Sequence, residues 1–591
     1  MKRNSLFSVA TLVTMLTAGA AMADVTGTVY NDLNRNGKMD AGEPGIAGVC
    51  VSNSKEVVKT DAAGKYTLPA YDEMIVFVVK PAGWMTPVDA NNIPRFSYVH
   101  KPNGSPASLQ RFRGLEPTGP LPAAINFALY RVNEPETFTA VINGDSQVYN
   151  HREINYLRDS FVKDVKANQP DAAFCISMGD NIGDELALFP HYHAVMGEMG
   201  IPVHYVPGNH DMDFDVSSPA DSFDTHKSYV GALYYSFNYG KVHFMVLNSV
   251  QAPVDPSRFD NTGNYTGAID ATQMEWIKND LAMVPMDHLI VLNMHIPIVS
   301  DEDRIGAGGT KHQVANREAL YDLVAGRKVF AMGGHTHTLS HFVPGDELEG
   351  WGRPTPIHQI IVGAACGSWW SGELDDSLVP YSYQRCGTPR NYLVFEFDGN
   401  NYRDTFKGSL MDANRQMHMS FLTESFIQWF EARSGNDPNT TIFALDNRNI
   451  LSQSDLQLGS LVINFYNGSS NSLVTCQFDD GAVVEALKTL EVMDPFALAN
   501  QMYVLRGVPG FNLWAAPSFG TGNGAVYGPG APAINDAWMR STGVVGQGVS
   551  THLWVCDIPD NLEPGMHTVA VTAVDMYGQI FTDKLVFEVA P

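Results

Sequence analysis

Five times between residues 138 and 337, an apolar run stops abruptly at a short polar segment carrying Asp, Asn, Gln or His. The runs are Phe138 to Asn143, Ala172 to Met178, Val203 to Val206, Leu289 to Asn293 and Val329 to Met332. The segments are Gly144-Asp145-Ser146-Gln147, Gly179-Asp180-Asn181, Gly208-Asn209-His210-Asp211, Met294-His295 and Gly334-His335-Thr336-His337. Short apolar runs bounded by glycine read as buried strands. A fold that accommodates all five must gather the carboxyl ends of several strands at one place, as open α/β sheets do. Helical periodicity in Ile154 to Lys166 and Ala271 to Ala282 supplies the intervening elements, so residues 138 to about 398 are expected to form an α/β layered domain. Nitrogen and oxygen donors converging from strand ends are what a two-metal hydrolytic site requires.

With 591 residues the chain exceeds one core, and two to four domains are expected. Residues 24 to about 130 look all-β: the alternation in Val25 to Tyr30, Lys65 to Leu68 and the run Met74 to Val79 are bounded by Gly, Pro, Asn and Asp. Residues 90 to 132, rich in Pro and Asn, read as a long connection. From about Leu410 a helical stretch, Phe421 to Arg433, precedes further alternation, and Thr568 to Val574 and Lys584 to Val589 read as strands of a second sandwich. Gly510 to Ala533 is expected to be a long loop.

Between the first two strands, Asp32, Asn34, Asn36, Lys38, Asp40 and Glu43 occupy positions 1, 3, 5, 7, 9 and 12 of a loop with Gly37 at position 6. That is the spacing of a calcium loop, with Lys38 contributing its backbone carbonyl; the flanks are strands, so it would be a calcium-bound connection rather than a switching helix pair.

Lys2 and Arg3 precede an apolar stretch from Leu6 to Ala18, and Ala21-Met22-Ala23 offers a small-residue cleavage point before Asp24. Residues 1–23 are thus expected to be an export signal, giving a periplasmic or secreted protein with no membrane span after processing. The formal charge is −26, and −28 once Lys2 and Arg3 are lost. Such acidity disfavours nucleic acid as the main partner and makes an anionic substrate depend on local positive charge, which bound metals would supply. None of the six cysteines forms a CxxC pair, which speaks against structural zinc. Cys366 with Cys386 and Cys476 with Cys556 are the expected disulfides, and Cys175 a buried free thiol.

The five segments, in this order and spacing, resemble the calcineurin-like metallophosphoesterase family over residues 138 to 400. Gly363-Ala364-Ala365-Cys366-Gly367-Ser368-Trp369-Trp370 and Pro564-Gly565-Met566-His567 are similar to a bacterial exported subgroup with N- and C-terminal β domains. The fold implied is multi-domain: a central α/β layered domain, a β-sandwich flanked by helices (131–405), between two smaller all-β sandwich domains (24–130 and 406–591). The resemblance implies that Asp145, Gln147 and His337 hold one metal, Asn209, His295 and His335 the other, and that Asp180 bridges both. Manganese, iron or zinc would suit these donors. A hydroxide bridging the cations would be the nucleophile. His210 would protonate the leaving oxygen or bind the phosphoryl group, oriented by Asp211 or by Asp184.

Two departures bear on the substrate. Gln147 stands where the family usually has His, as in branches cleaving diphosphate or phosphodiester bonds. Gly183 stands where purple acid phosphatases carry a metal-binding Tyr, so an iron–tyrosinate site is not expected. Trp369 and Trp370 are candidates for lining the substrate groove. His191, His193, His204 and His243 belong to no motif and read as ordinary surface or core residues. Gly306 to Lys311 resembles a phosphate-binding loop without its spacing and reads as a surface loop. No Gly-x-Ser-x-Gly or His-Glu-x-x-His motif supports a serine hydrolase or zinc protease. The expected activity is metal-dependent hydrolysis of a small or polymeric phosphate ester. The competing expectation is a calcium-stabilised cell-envelope binding protein without catalysis.

Overall fold

The computed structural model describes residues 24–106, 111–214, 216, 218–252, 265–300, 311–347, 353–372, 374–428, 449–490, 492, 494–499 and 550–591. The expected export signal at 1–23, nearly all of the Gly306 to Lys311 stretch and the loop expected over Gly510 to Ala533 lie outside the described residues.

Two sheets carry the motifs. The first has five strands, in the order Val203–Tyr205, Phe174–Ser177, Thr137–Asn143, Asn391–Asp398 and Asn401–Gly408. Its first three strands run parallel and the last two antiparallel. The second has six, in the order Tyr235–Tyr239, Val242–Leu247, Leu289–Met294, Lys328–Gly333, His358–Ile361 and Ser340–Phe342, with a parallel centre. Alternation along Thr137–Asn143 decides the layers. Ala140 and Ile142 point to the second sheet, while Val141 joins Ile154, Leu157 and Phe161 of the helical stretch on the outer face. Between the sheets Phe174 meets Phe244 at 5.1 Å and Phe330 meets Phe395 at 5.4 Å. Trp276, Ile277 and Leu320, from helices Ala271–Leu281 and Arg317–Val324, cover the far side of the six-stranded sheet.

The helix expected over Ile154 to Lys166 is longer, running from His151 to Asn168 with a π-helical segment at Arg158–Val162. Asn150 starts it by accepting the N–H groups of Arg152 and Glu153.

The N-terminal residues form two four-stranded sheets. Part of the expected connection over 90 to 132 is strand: Ser97–His100 completes one of these sheets and Phe127–Arg131 the other. Strands this short take their conformation from a partner and leave little periodic signal. The N-terminal core is continuous with the central one; Phe77 packs edge-on against Trp276 at 5.9 Å. Lys80, buried, pairs with Glu134 and donates to the Asn238 carbonyl at 2.7 Å.

Residues from Met417 onward form a four-stranded and a five-stranded sheet around a separate core that includes Phe421, Ile463, Trp554, Val571 and Phe587. Phe421 lies within the strand Met417–Leu422, so the helix expected from Phe421 begins instead at residue 424 and is described only to 428. Every cysteine is a free thiol. Neither expected disulfide is therefore formed: Cys476 and Cys556 only hydrogen-bond each other across the two sheets, and Cys366 faces His337 while Cys386 faces Thr388. Among the described residues no helix is long and apolar enough to cross a membrane.

Candidate metal centre

Each expected ligand sits at a strand's carboxyl end, where the chain must turn sharply. Asp145 and Gln147 follow Thr137–Asn143, Asp180 follows Phe174–Ser177, and Asn209 opens a 3-10 turn after Val203–Tyr205. His295 follows Leu289–Met294, and His335 and His337 follow Lys328–Gly333. Asp145, Gln147, Asp180, His335 and His337 all have positive φ, at 33°, 36°, 46°, 75° and 53°. Strain of this kind costs of order 1–3 kcal/mol per residue and concentrates at functional sites. Packing explains one motif glycine directly: a Cβ at Gly208 would fall 2.0 Å from the Asp180 nitrogen.

Six of the seven side chains converge. Asp180 Oδ1 accepts the His210 N–H at 2.8 Å, leaving Oδ2 3.2 Å from His295 Nε2. His295 Nδ1 lies 2.9 Å from the Met178 carbonyl and donates to it, so Nε2 is the ring's open donor, 3.1 Å from Asn209 Oδ1. His337 repeats the device: Nδ1 donates to the Gly367 carbonyl at 3.0 Å, and Nε2 stands 3.5 Å from Asp145 Oδ1. Both Asp145 oxygens accept the His335 N–H, at 3.1 and 3.0 Å. Ligand atoms of Asp180, His295 and His335 all lie within 4.8 Å of one another. Gln147 joins through its backbone, donating to the Asp180 carbonyl at 2.8 Å.

Two atoms test whether cations fit. Gln147 Oε1 and His335 Nδ1 are buried and have no hydrogen-bond partner. An orphaned buried acceptor costs roughly 1–3 kcal/mol, and both are atoms a cation would take. Charge agrees. Burial, reinforced by the Asp180 charge and opposed by His295, pushes the Asp145 carboxyl up to about 7. Burial also works against ionising Asp180, but His295 and His210 beside it hold its carboxyl well below the usual range. Burial drives His337 down to about 3, a neutral imidazole with a free lone pair. Burial works against charging His295, but Asp180 beside it pushes that ring up to about 9, so a cation would have to displace its proton. With that proton gone, two carboxylates with neutral Asn, Gln and His donors suit divalent transition metals.

His210 Nδ1 is 2.7 Å from Asp184 Oδ1, and its Nε2 is 3.9 Å from Asp180 Oδ2. Asp211, taken from the sequence as a catalytic candidate, does not hydrogen-bond that ring. Its Oδ2 accepts from Gly208 and Asn181 at 2.9 Å each and its Oδ1 from Ile182 at 3.1 Å, so it ties two loops together. The two tryptophans also divide. Trp369, half-buried, stacks on His337 with centroids 4.6 Å apart. Trp370 is 1 % exposed and donates its indole N–H to the Ser146 carbonyl at 3.0 Å, so it underpins the first motif and cannot line a groove.

Three neighbours carried no motif. Tyr149 accepts from Gln147 Nε2 at 3.2 Å, Tyr265 OH is 3.4 Å from His335 Nε2, and His312 stacks on His335 at 5.2 Å. Tyr149 continues the first motif and was within reach of sequence reading; the other two sit in unpatterned stretches. Of the four histidines read as ordinary, His193, His204 and His243 are buried, and His191 lies 2.7 Å from His151, nitrogen to nitrogen.

In the calcium-like loop, Asp40 Oδ2 receives the side-chain amides of Asn34 and Asn36, both at 2.8 Å. Asp32 accepts from the backbone of Asn36 and Gly37, Glu43 from Leu33 and Asp40, and Lys38 donates its N–H to Asn36 Oδ1.

Comparison with known proteins gives two family matches. Residues 33–115 match the N terminal of calcineurin-like phosphoesterase and residues 359–506 the C terminal of calcineurin-like phosphoesterase. No curated protein matches the chain. Among solved structures, a purple acid phosphatase isolated from yellow lupin (Lupinus luteus) seeds is similar at 14% identity and TM-score 0.34, over 61% of this chain and 71% of that one. PhoD is similar at 12% identity and TM-score 0.31, over 65% of this chain and 85% of that one. At these TM-scores neither likeness bears on the reaction.

Proposed function

We propose that this chain, a calcineurin-like metallophosphoesterase and so a phosphoric ester hydrolase, works outside the cytoplasm after losing residues 1–23 and favours phosphodiester or diphosphate bonds. The observation that carries the reading is the pair of orphaned donors, Gln147 Oε1 and His335 Nδ1. We assign Asp145, Gln147 and His337 to one cation, Asn209, His295 and His335 to the other, and Asp180 to both. Bound cations would supply positive charge for the phosphoryl oxygens and acidify water.

The chain's own part is proton placement. With Nδ1–H given to Asp184, His210 presents Nε2 to the site, where it can protonate a leaving oxygen. Burial disfavours the imidazolium, but Asp184 and Asp180 outweigh it and push the ring up to about 9 in the metal-free protein. The neutral amide at Gln147 donates less charge than an imidazole would, leaving its cation more electrophilic, which suits poorer leaving groups.

We further propose three units, 24–130, 131–405 and 406–591, with calcium held by Asp32, Asn34, Asn36, Lys38, Asp40 and Glu43. The test is a screen of phosphomonoesters, phosphodiesters and diphosphate esters after chelation and return of manganese, iron or zinc. Asn209→Ala and His335→Ala are expected to lower turnover by about a hundredfold or more. Undiminished hydrolysis in both variants would overturn the assignment.

A further inference from the structure

The loops after Thr137–Asn143 and Phe174–Ser177 pair with each other beyond the sheet. Val148 bridges Ile182 in parallel, Gln147 donates to the Asp180 carbonyl, and Gly183 donates to the Val148 carbonyl at 2.9 Å. That pairing brings Tyr149 against Gly183, so closely that a Cβ on the glycine would lie 2.6–2.7 Å from ring carbons of Tyr149. An aromatic ring therefore fills the space over Gly183, but it arrives from the facing loop. Its hydroxyl meets Gln147 Nε2 at 3.2 Å, and the other end of the same amide, Oε1, is the buried atom without a partner.

We propose that Tyr149 is a positioning residue that fixes which end of the Gln147 amide faces the metal centre. A carboxamide has two ends of nearly equal size, and only the oxygen can ligate a cation. Turned the other way, the amide would aim two N–H groups at it. A carboxylate at this position, with oxygen at both ends, has no such ambiguity, and an anchor at Nε2 is what a glutamine ligand needs. The inference rests on Gln147 being a ligand of one of two cations, and wild-type stoichiometry checks that separately.

The experiment is equilibrium dialysis of the full chain against manganese or zinc, with bound metal counted by elemental analysis, on four proteins: wild type, Tyr149→Phe, Gln147→Glu and the double variant. Wild type is expected to bind two transition-metal equivalents; fewer would overturn the metal assignment itself. Tyr149→Phe should weaken one equivalent by about tenfold or more while the other is retained, which also reports that the site is folded. In the Gln147→Glu background, where either oxygen can ligate, the same Tyr149→Phe change should alter affinity by less than about threefold. An equal loss in both backgrounds would reduce Tyr149 to packing and overturn the proposal, as would an unchanged affinity in Tyr149→Phe. Loading wild type with ferric ion gives a further readout: a visible phenolate–iron band that disappears in Tyr149→Phe would make Tyr149 a ligand and overturn the positioning role.

Discussion

Asp184 and Asp211 stand on either side of His210, and the choice between them is geometric. The sequence offered both without choosing, and the 3-10 turn over Asn209–Asp211 swings the Asp211 carboxylate back toward Gly208 and Asn181. Asp184, at φ 71°, reaches the ring from the preceding loop. Asp184→Asn should lower kcat by about a hundredfold, because a misoriented imidazole forfeits most of its acid catalysis. Its pH profile should move too. An acid must be protonated, so activity falls as pH rises through the ring's pKa; removing a carboxylate that raises this pKa shifts the fall to lower pH. Asp211→Asn, which removes a smaller contribution to the ring's charge, should move that limb by less and act mainly on loop stability. A matching shift in both variants, read from kcat between pH 6 and 10, would sink the distinction.

At the scale of elements, the long strands, the helix at Ala271–Leu281 and the convergence of five motifs were legible, because each rests on a period or a ligand set. The short strands Ser97–His100 and Phe127–Arg131 were not, since neither shows alternation and each exists through its neighbour. The same limit applied to Trp369 and Trp370: which one faces outward depends on two successive positive φ values, 52° and 53°, that no residue type announces. The helix behind the first motif shows how local signals combine. Asn150 caps it, and Glu153 answers by accepting the Tyr149 N–H at 2.7 Å and the Asn150 side-chain N–H at 2.8 Å. Asn150→Ala should therefore destabilise the protein by about 1 kcal/mol in chemical denaturation, and an unchanged midpoint would show that the cap is dispensable.

Across the whole molecule, buried neutral histidines set the response to acid. Burial pushes His193, His204 and His226 each down to about 3. In an unfolded chain they would titrate near 6.5. A depressed folded pKa contributes stability that is complete above the unfolded value and is lost as pH falls from there toward 3. By linkage each such group costs about 2 kcal/mol at pH 5 relative to pH 8. Tm should accordingly drop between pH 7 and pH 5, and His226→Phe, which removes a ring with neither nitrogen paired, should flatten that slope. Parallel slopes for wild type and variant in calorimetry would refute the account. One further property follows from which sheet supplies which donor. Asp145, Gln147, Asp180 and Asn209 all come from the five-stranded sheet, and His295, His335 and His337 all come from the six-stranded one. The centre is thus a seam between an oxygen-bearing edge and a nitrogen-bearing edge. A hard ion that prefers oxygen would be gripped from one side alone, whereas an ion at ease with imidazole would stitch the two edges together. Metal selectivity and the cohesion of the two sheets become one property, and a wrongly loaded protein would carry its fault as a loosened seam.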